Sequence, residues 1–200
     1  MSIWICFSVF LLASTIFTYV NSQNAIRKYV IRKDWFNLFK AGEFSIYDTS
    51  QKGLIYRIES NVGIFLDSKL IAYPSKKEVG RLQVKRNLKP YSRVLSILDP
   101  QTNQWIVGYM QRNTQAIEFH GTSFNIDWNG HYITMKKETT SLTSKFHDTN
   151  GQLLAEFKIR LTSLLFGRKK YDMEIFSDKY PEQIYLLALI ASDNVVSTEG

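Results

Sequence analysis

The sequence predicts a mainly β protein, an antiparallel barrel of about twelve strands closed around an apolar helix close to the C-terminus. Short segments in which apolar and polar residues alternate follow one another from Lys28 to Phe176, with turn sequences between them. Strict alternation is typical of strands that have one buried face. The final segment, Ile184–Ala191, contains only apolar residues and a tyrosine, and a helix that is apolar all round must be enclosed. An open sheet of so many strands usually curls or closes, so a barrel is the enclosure we expect.

Turn sequences define the predicted strands in chain order. The segment Asp48–Gly53 separates Phe44–Tyr47 from Leu54–Ile58, which predicts a hairpin with glycine where the backbone needs a positive φ. The pair Asn129-Gly130 is the strongest two-residue hairpin signal in the chain. The other predicted strands are Leu82–Val84, Val94–Leu98, Trp105–Tyr109, Phe124–Trp128, Tyr132–Met135, Leu142–His147, Ala155–Leu161 and Tyr171–Ile175.

The predicted helix follows Pro181 and Glu182. Proline suits a first helical turn, and an acidic residue there complements the positive end of the helix dipole. The apolar run Ile184–Ala191 would span about 12 Å, far less than the thickness of a bilayer. We therefore expect a core helix. The side chains that we expect at the barrel axis are Ile184, Leu186, Leu187, Leu189 and Ile190.

The segment Met1–Ser22 carries no charged side chain and predicts a leader ahead of a domain at residues 28–196. A cleaved secretory signal peptide, and hence a secreted protein, is the favoured interpretation, because Val20-Asn21-Ser22 offers small residues at the positions that a signal peptidase reads. The alternative is an uncleaved membrane anchor at residues 3–20 with the domain in the cytosol, because basic residues follow the apolar run. The sequence leaves this choice open.

The composition indicates one globular domain without a disulfide framework. Of 200 residues, 44% are hydrophobic and 22% are charged, which is enough for a sizeable core. The single cysteine, Cys6, lies in the leader, so stability has to come from burial. The formal net charge of +7 favours contact with phosphates, anionic lipid or acidic proteins, although the same charge also serves solubility.

Three stretches of the chain carry a family resemblance. The first is the hairpin Phe44–Ile58 with its Asp-to-Gly turn, and the second is Asp148–Lys158, where D-x-x-G precedes a strand. The third is Tyr171–Ile175 followed by the apolar segment Gln183–Asp193. In order and spacing these stretches resemble the tubby C-terminal-like superfamily, in particular its LURP-one-related branch, which also includes phospholipid-scramblase-like proteins. The resemblance covers residues 28–196. It implies a barrel around a central helix, with association with phosphoinositides or other phospholipids.

The sequence shows no catalytic or metal-binding constellation. It lacks a nucleophile elbow, a phosphate-binding glycine loop and the spacing of zinc ligands. His120, His131 and His147 fall in separate predicted hairpins without acidic or cysteine companions at ligand spacing. We therefore expect no enzyme activity, no cofactor and no metal site.

Two groups of basic residues form the predicted site, as ligands of lipid phosphates. Each cation of this kind contributes about 1 kcal/mol near anionic lipid. The alternative is a solvated strand face that discourages edge pairing. Nucleic acid is not an expected partner, because no basic pattern with stacking aromatics occurs. The residues are Arg81, Lys85 and Arg93 on one predicted hairpin and Arg168, Lys169 and Lys170 in a later loop.

The resulting hypothesis is a non-catalytic, tubby-like module whose exterior binds anionic phospholipid or a protein partner. The alternative is a secreted lipocalin-like carrier of a small molecule. The radial position of Leu187 separates the two, because a leucine inside the barrel leaves no room for a central carrier pocket. The identity of the partner and the oligomeric state do not follow from the sequence.

Overall fold

The computed structural model describes residues 24–34, 43–60, 67–84, 92–113, 121–138, 141–165 and 169–198. The predicted leader, Met1–Ser22, lies outside the described residues. The described strands are β1 (Arg27–Lys33), β2 (Phe44–Tyr47), β3 (Leu54–Ser60), β4 (Ser68–Ala72), β5 (Lys77–Gln83), β6 (Ser92–Leu98), β7 (Trp105–Arg112), β8 (Thr122–Trp128), β9 (His131–Lys137), β10 (Thr143–Asp148), β11 (Leu153–Ile159) and β12 (Lys170–Ile175). The described helices are α1 (Leu161–Leu165) and α2 (Gln183–Thr198).

These strands form one closed antiparallel barrel, which confirms the predicted fold class. Each strand pairs with its neighbours in the sequence, and β1 pairs with both β2 and β12 to close the wall. The alternation of each strand sends apolar side chains inward. Fully buried members of this inner layer include Ile31, Ile46, Ile58, Leu70 and Leu82.

The central helix α2 fills the interior, as predicted. Every side chain of Ile184–Ala191 is at most 1% exposed. A Cβ atom placed on Gly80 would lie 3.1 Å from Cδ1 of Leu187, so the wall approaches the helix closely where β5 has no side chain. Leu187 is therefore inside the barrel, and the helix lies where a carrier would hold its ligand.

The helix is longer than its apolar run. It begins at Gln183, as Pro181 and Glu182 indicate, but it continues past Ala191 to Thr198. The enclosure also extends past the apolar run, because Ser192 and Asp193 are buried as well. Among the described residues, no helix combines the length and the apolar character needed to cross a membrane.

The apolar face of β7 points outward. Alternation places Trp105, Val107 and Tyr109 on one face, and these side chains are 38%, 47% and 51% exposed. Gly108, on the opposite face, points to the interior. A Cβ atom on Gly108 would lie 2.7 Å from the Trp128 ring, so that ring from β8 fills the space in front of the glycine.

The β2–β3 turn uses its glycine differently from the prediction. The expectation of a positive φ at Gly53 is wrong, because the turn places its positive φ, 60°, at Gln51. A Cβ atom on Gly53 would instead lie 2.7 Å from Oδ2 of Asp48. Glycine therefore makes room for the carboxylate, which accepts a 2.7 Å hydrogen bond from the Ser50 hydroxyl.

Replacing Leu187 tests the enclosure of α2. We expect Leu187→Ala to lower the free energy of unfolding by about 2–5 kcal/mol, because truncation leaves a cavity between α2 and β5. The matched control is Leu161→Ala in α1, where the leucine is 66% exposed and the change should stay within about 0.5 kcal/mol. Urea unfolding followed by circular dichroism measures both, and equal losses would contradict an enclosed Leu187.

Candidate functional site

At each end of the barrel, α2 or the residue just before it contributes one buried carboxylate. Glu182 directly precedes α2, and Asp193 lies in the second half of the helix. Their side chains are 8% and 2% exposed. A buried charge is costly unless it is paired and hydrogen-bonded, so contacts with the wall concentrate at these two points. We call them the Glu182 end and the Asp193 end.

At the Glu182 end, three donors from the wall meet one carboxylate. Nη1 of Arg27 lies 2.5 Å from Oε2, and the Tyr29 hydroxyl donates to the same oxygen at 2.9 Å. The Tyr56 hydroxyl donates to Oε1 at 2.7 Å. Burial raises the pKa of both tyrosines above the ordinary value, and the negative charge of Glu182 adds to this increase. Both hydroxyls therefore stay protonated as donors, and the arrangement holds the start of α2 in place.

A cavity of about 700 Å³ opens beside the Glu182 end. Two cations and three carboxylates contribute to its lining, so its charges nearly balance. Arg27 and Glu182 already bond to each other. This mixture of charges favours neither an anionic nor a cationic ligand. The charged residues are Arg27, Lys179, Asp99, Asp178 and Glu182.

At the Asp193 end, three donors again meet one carboxylate. The Lys169 ammonium lies 2.9 Å from Oδ1, and the Tyr171 hydroxyl donates to the same oxygen at 2.7 Å. The Lys33 ammonium donates to Oδ2. Burial by itself raises the pKa of Asp193, but the hydrogen bonds from Lys169, Lys33 and Tyr171 outweigh it, and the pKa lies below the ordinary 3.8. The carboxylate is therefore charged at neutral pH and ties the helix to β1 and β12.

The exterior carries an exposed apolar area that we call the aromatic strip, made of Trp105, Val107, Tyr109 and Tyr132. These are four of the six exposed large apolar side chains among the described residues. They occupy the outer face of β7 and β9. Tyr109 and Tyr132 are both direct cross-strand partners of Asp127 on the intervening β8, so the strip spans three neighbouring strands with one carboxylate between the two tyrosines.

A lysine row lies beside the aromatic strip, made of Lys136, Lys145 and Lys158. Lys136 shares the outer face of β9 with Tyr132, and it is the cross-strand partner of Lys145 on β10. All three lysines are exposed. Burial lowers the pKa of the neighbouring His147, and the positive charges of Lys145 and Lys136 lower it further. Lys145 is also the cross-strand partner of Glu156 on β11, so the three lysines of the row share their face with one carboxylate and keep an excess of positive charge.

The structure does not bring the basic residues predicted from the sequence together. Arg81 lies outside, where Nε donates to Glu78 at 2.8 Å and the guanidinium stacks 4.0 Å from the centre of the Trp105 ring. Arg93 belongs to the inward face of β6 with Leu95. The expected cluster of Arg81 with Arg93 is therefore wrong, because alternation sends the two side chains to opposite faces of the wall.

The second predicted group divides in the same way. Lys169 points inward to Asp193, whereas Lys170 belongs to the outer face of β12. Strands β5 and β12 are five positions apart in one direction around the barrel and seven in the other, so Arg81 and Lys170 lie on nearly opposite sides. Lys85 and Arg168 lie outside the described residues. A role for these six residues in binding lipid phosphate stays a prediction.

Sequence reasoning missed the aromatic strip and the inward lysines. The alternation was visible in both cases: Ile133, Met135 and Lys137 share one face of β9, and the first two are fully buried. An inward position for Lys137 follows from that pattern. The prediction overlooked it because inward positions were assigned only to apolar residues. Among the described residues, no three His, Cys, Asp or Glu side chains converge as metal ligands would.

The lowered pKa of Asp193 makes the Asp193 end sensitive to acid. A group whose pKa is lower in the folded state contributes stability above its unfolded pKa, and this contribution is lost as the pH falls through the folded pKa. We expect Asp193→Asn to cost about 3 kcal/mol at neutral pH, because it leaves two partly buried lysines without their counter-charge. As the pH falls from the ordinary pKa of 3.8 through the lower pKa of the folded state, wild type and variant should converge in unfolding free energy.

The control for this experiment is Asp172→Asn, which removes a carboxylate whose side chain is 45% exposed and which pairs with Arg160. Surface pairs contribute at most about 1 kcal/mol. Urea unfolding over a pH series measures the three proteins. Parallel curves for wild type and Asp193→Asn down to strong acid would contradict the role of Asp193.

No protein-family model matches this chain, and a search of curated proteins finds no match either. Membership of the tubby-like superfamily therefore stays a prediction from the sequence. The functional reasoning depends on the geometry of the barrel, its two ends and its exterior face.

Proposed function

We propose that this protein is a non-catalytic module that binds anionic phospholipid at a membrane surface through the exterior of β7–β11. The observation that supports this proposal most strongly is the presence of the aromatic strip and the lysine row on the same outer side of neighbouring strands. Large exposed apolar areas on a folded domain generally mark an interaction site. The helix occupies the centre of the barrel, and the exterior of the wall offers the larger surface for contact with a membrane.

The aromatic strip suits the boundary between lipid and water. Tryptophan and tyrosine concentrate at membrane interfaces, because their rings are apolar while their N–H and O–H groups still reach water. Trp105, Tyr109 and Tyr132 each present such a ring from a rigid strand. A rigid strand loses little conformational freedom on docking. The strip can therefore enter the headgroup region without rearrangement of the wall.

The lysine row supplies the charge that selects anionic lipid. Near a negative membrane surface, each lysine contributes about 1 kcal/mol. Lys136 and Lys145 stand directly opposite each other on β9 and β10. Like charges in that position destabilise a sheet, and a polyanionic surface relieves the repulsion. Arg81 extends the cationic character to the far edge of the strip through its stacking on Trp105.

Charge reversal of the lysine row tests the electrostatic part. We expect the double variant Lys136→Glu, Lys145→Glu to lower affinity for mixed phosphatidylcholine and phosphatidylserine vesicles by about 30-fold or more, because two cationic contributions are lost. Wild-type binding should weaken as salt is added and should be absent on phosphatidylcholine alone. Vesicle co-sedimentation measures all of these.

The matched control is Lys52→Glu, Lys76→Glu, which makes the same change in net charge. Both lysines are exposed and lie in the β2–β3 and β4–β5 turns, away from β9 and β10. We expect the control to keep affinity within about threefold, since exposed charges beyond about 10 Å are largely screened. An equal loss in the control would mean that net charge alone determines binding, against the proposed face.

Removal of the aromatic strip tests the interfacial part. We expect Trp105→Ser, Tyr109→Ser to weaken vesicle binding about tenfold, with the loss persisting at high salt because the contribution is apolar. Leu161→Ser, which replaces an exposed leucine in α1, is the control and should bind as wild type. Arg81→Glu should weaken binding in a salt-dependent way. Unchanged vesicle affinity in the strip and row variants would contradict the lipid proposal and would favour a protein partner for the same face.

A further inference from the structure

Among the described side chains that point into the Asp193 end, lysines outnumber the carboxylates that they contact. Lys33 and Lys169 both donate to the single carboxylate of Asp193. Lys137, the last residue of β9, continues the inward face of Ile133 and Met135 at this same end of the barrel. It accompanies two lysines that already bond to Asp193, and the Tyr171 hydroxyl takes a further lone pair of that acid. Buried cations in excess of their counter-charges are costly.

Lys137 is the member of this group that lacks an acceptor among the described residues. It lies next to outward-facing Lys136, but alternation turns it inward above Ile133 and Met135. The residue is partly buried at the end of the strand. Burial lowers the pKa of Lys137, and the charge of Lys169 lowers it further. An anion beside Lys137 would offset both the loss of solvation and the repulsion from Lys169.

Two arginines line the same end from the next part of the wall. Arg112, on β7, points inward and is 6% exposed. Arg93, on β6, has a buried Nη1 atom with no hydrogen-bond partner among the described residues. Burial lowers the pKa of Arg93, and the carboxylate of Asp67 opposes this. Guanidinium groups present several N–H donors in a geometry that fits phosphate.

We propose that the Asp193 end of the barrel binds a phosphate-bearing anion, with Lys137 as its principal ligand and Lys169, Arg93 and Arg112 as further contributors from the inner wall. This site is distinct from the exterior face, because Lys136 and Lys137 are successive residues on opposite sides of β9. The anion supplies the negative charge that Asp193 alone does not. The chemistry is that of a phosphate group, whether free in solution or on a lipid headgroup.

Inorganic pyrophosphate is the probe for this site. We expect it to raise the melting temperature of the intact protein and to bind in isothermal titration calorimetry, at an ionic strength held constant with chloride. Lys137→Gln should lower pyrophosphate affinity about tenfold or more, as expected for loss of one charge-assisted hydrogen bond. Lys137→Arg keeps the charge and should stay within a few-fold of wild type.

The matched control is Lys76→Gln, which removes the same charge from an exposed lysine in the β4–β5 turn, at the Glu182 end of the barrel. It should leave pyrophosphate affinity unchanged. The site is refuted if pyrophosphate does not bind wild type, if Lys137→Gln binds it as well as wild type, or if Lys76→Gln loses as much affinity. Lys137→Gln removes a cation that has no acceptor among the described residues, so circular dichroism should show a folded protein.

The pKa of the Lys137 side chain distinguishes anion binding at this residue from an indirect structural effect of the substitution. NMR titration of the Lys137 side chain should show its pKa rising when pyrophosphate is added, because a bound anion favours the charged ammonium. A pKa that does not move would overturn the assignment. Vesicle binding then identifies the source of the phosphate: Lys137→Gln should keep wild-type vesicle affinity if the ligand is free in solution and should lose it if the ligand is a headgroup.

These outcomes are independent of the membrane proposal. Pyrophosphate binding requires no vesicle, and the strip and row variants change only the exterior. Failure of vesicle binding with intact pyrophosphate binding would refute the proposed function and leave the inner site standing. The reverse pattern would refute the inner site alone.

Discussion

The segment Ile184–Ala191 has almost no contact with water, and hiding it is the constraint to which the rest of the molecule responds. Full burial of a leucine or isoleucine side chain contributes about 1.5–3 kcal/mol, so this helix is a major source of stability. A helix without a polar face needs apolar neighbours on every side, and a closed sheet supplies them. Twelve strands form a wall wide enough to enclose one helix, and Gly80, which has no side chain, leaves room for Leu187.

Apolar packing alone would leave the helix free to slide along the axis. The two carboxylates prevent this, because Glu182 and Asp193 each meet three wall donors at opposite ends of the enclosed segment. A shift of one helical turn, about 5.4 Å, would break both groups at once and leave charges buried without partners. Polar contacts therefore set the position of α2 along the barrel axis, whereas apolar contacts favour its burial in the interior.

The fold was predictable because two strong patterns coincide, namely period-two alternation along the strands and one helix without a polar face. The candidate site was less predictable. In β7, the pattern of Trp105, Val107 and Tyr109 suggests a core face, yet the Trp128 ring occupies the room inside, and only a glycine fits opposite it. That preference depends on a neighbouring strand and is not encoded in β7 itself.

The basic residues show a related limit. Arg81 and Arg93 lie close together in the sequence, which is why they were predicted to form one cluster. The alternation of side chains along each strand, however, decides which face of the wall each arginine takes. For Lys137 the sequence was sufficient, since its neighbours Ile133 and Met135 fix its face. A charged residue that continues an apolar alternation is thus a sign of an interior polar site, provided that it lies at the end of a strand.

The closure of the wall joins the beginning of the domain to its end. Strand β1 needs β12 as a partner, and the helix that fills the interior comes after β12. During synthesis, the earlier strands therefore emerge with neither a sealed edge nor a core to cover their inner faces. Contacts between distant parts of a chain slow folding, and open strand edges invite pairing between chains. A ribosome-bound chain of this protein would thus depend on protection from aggregation until its final helix is released.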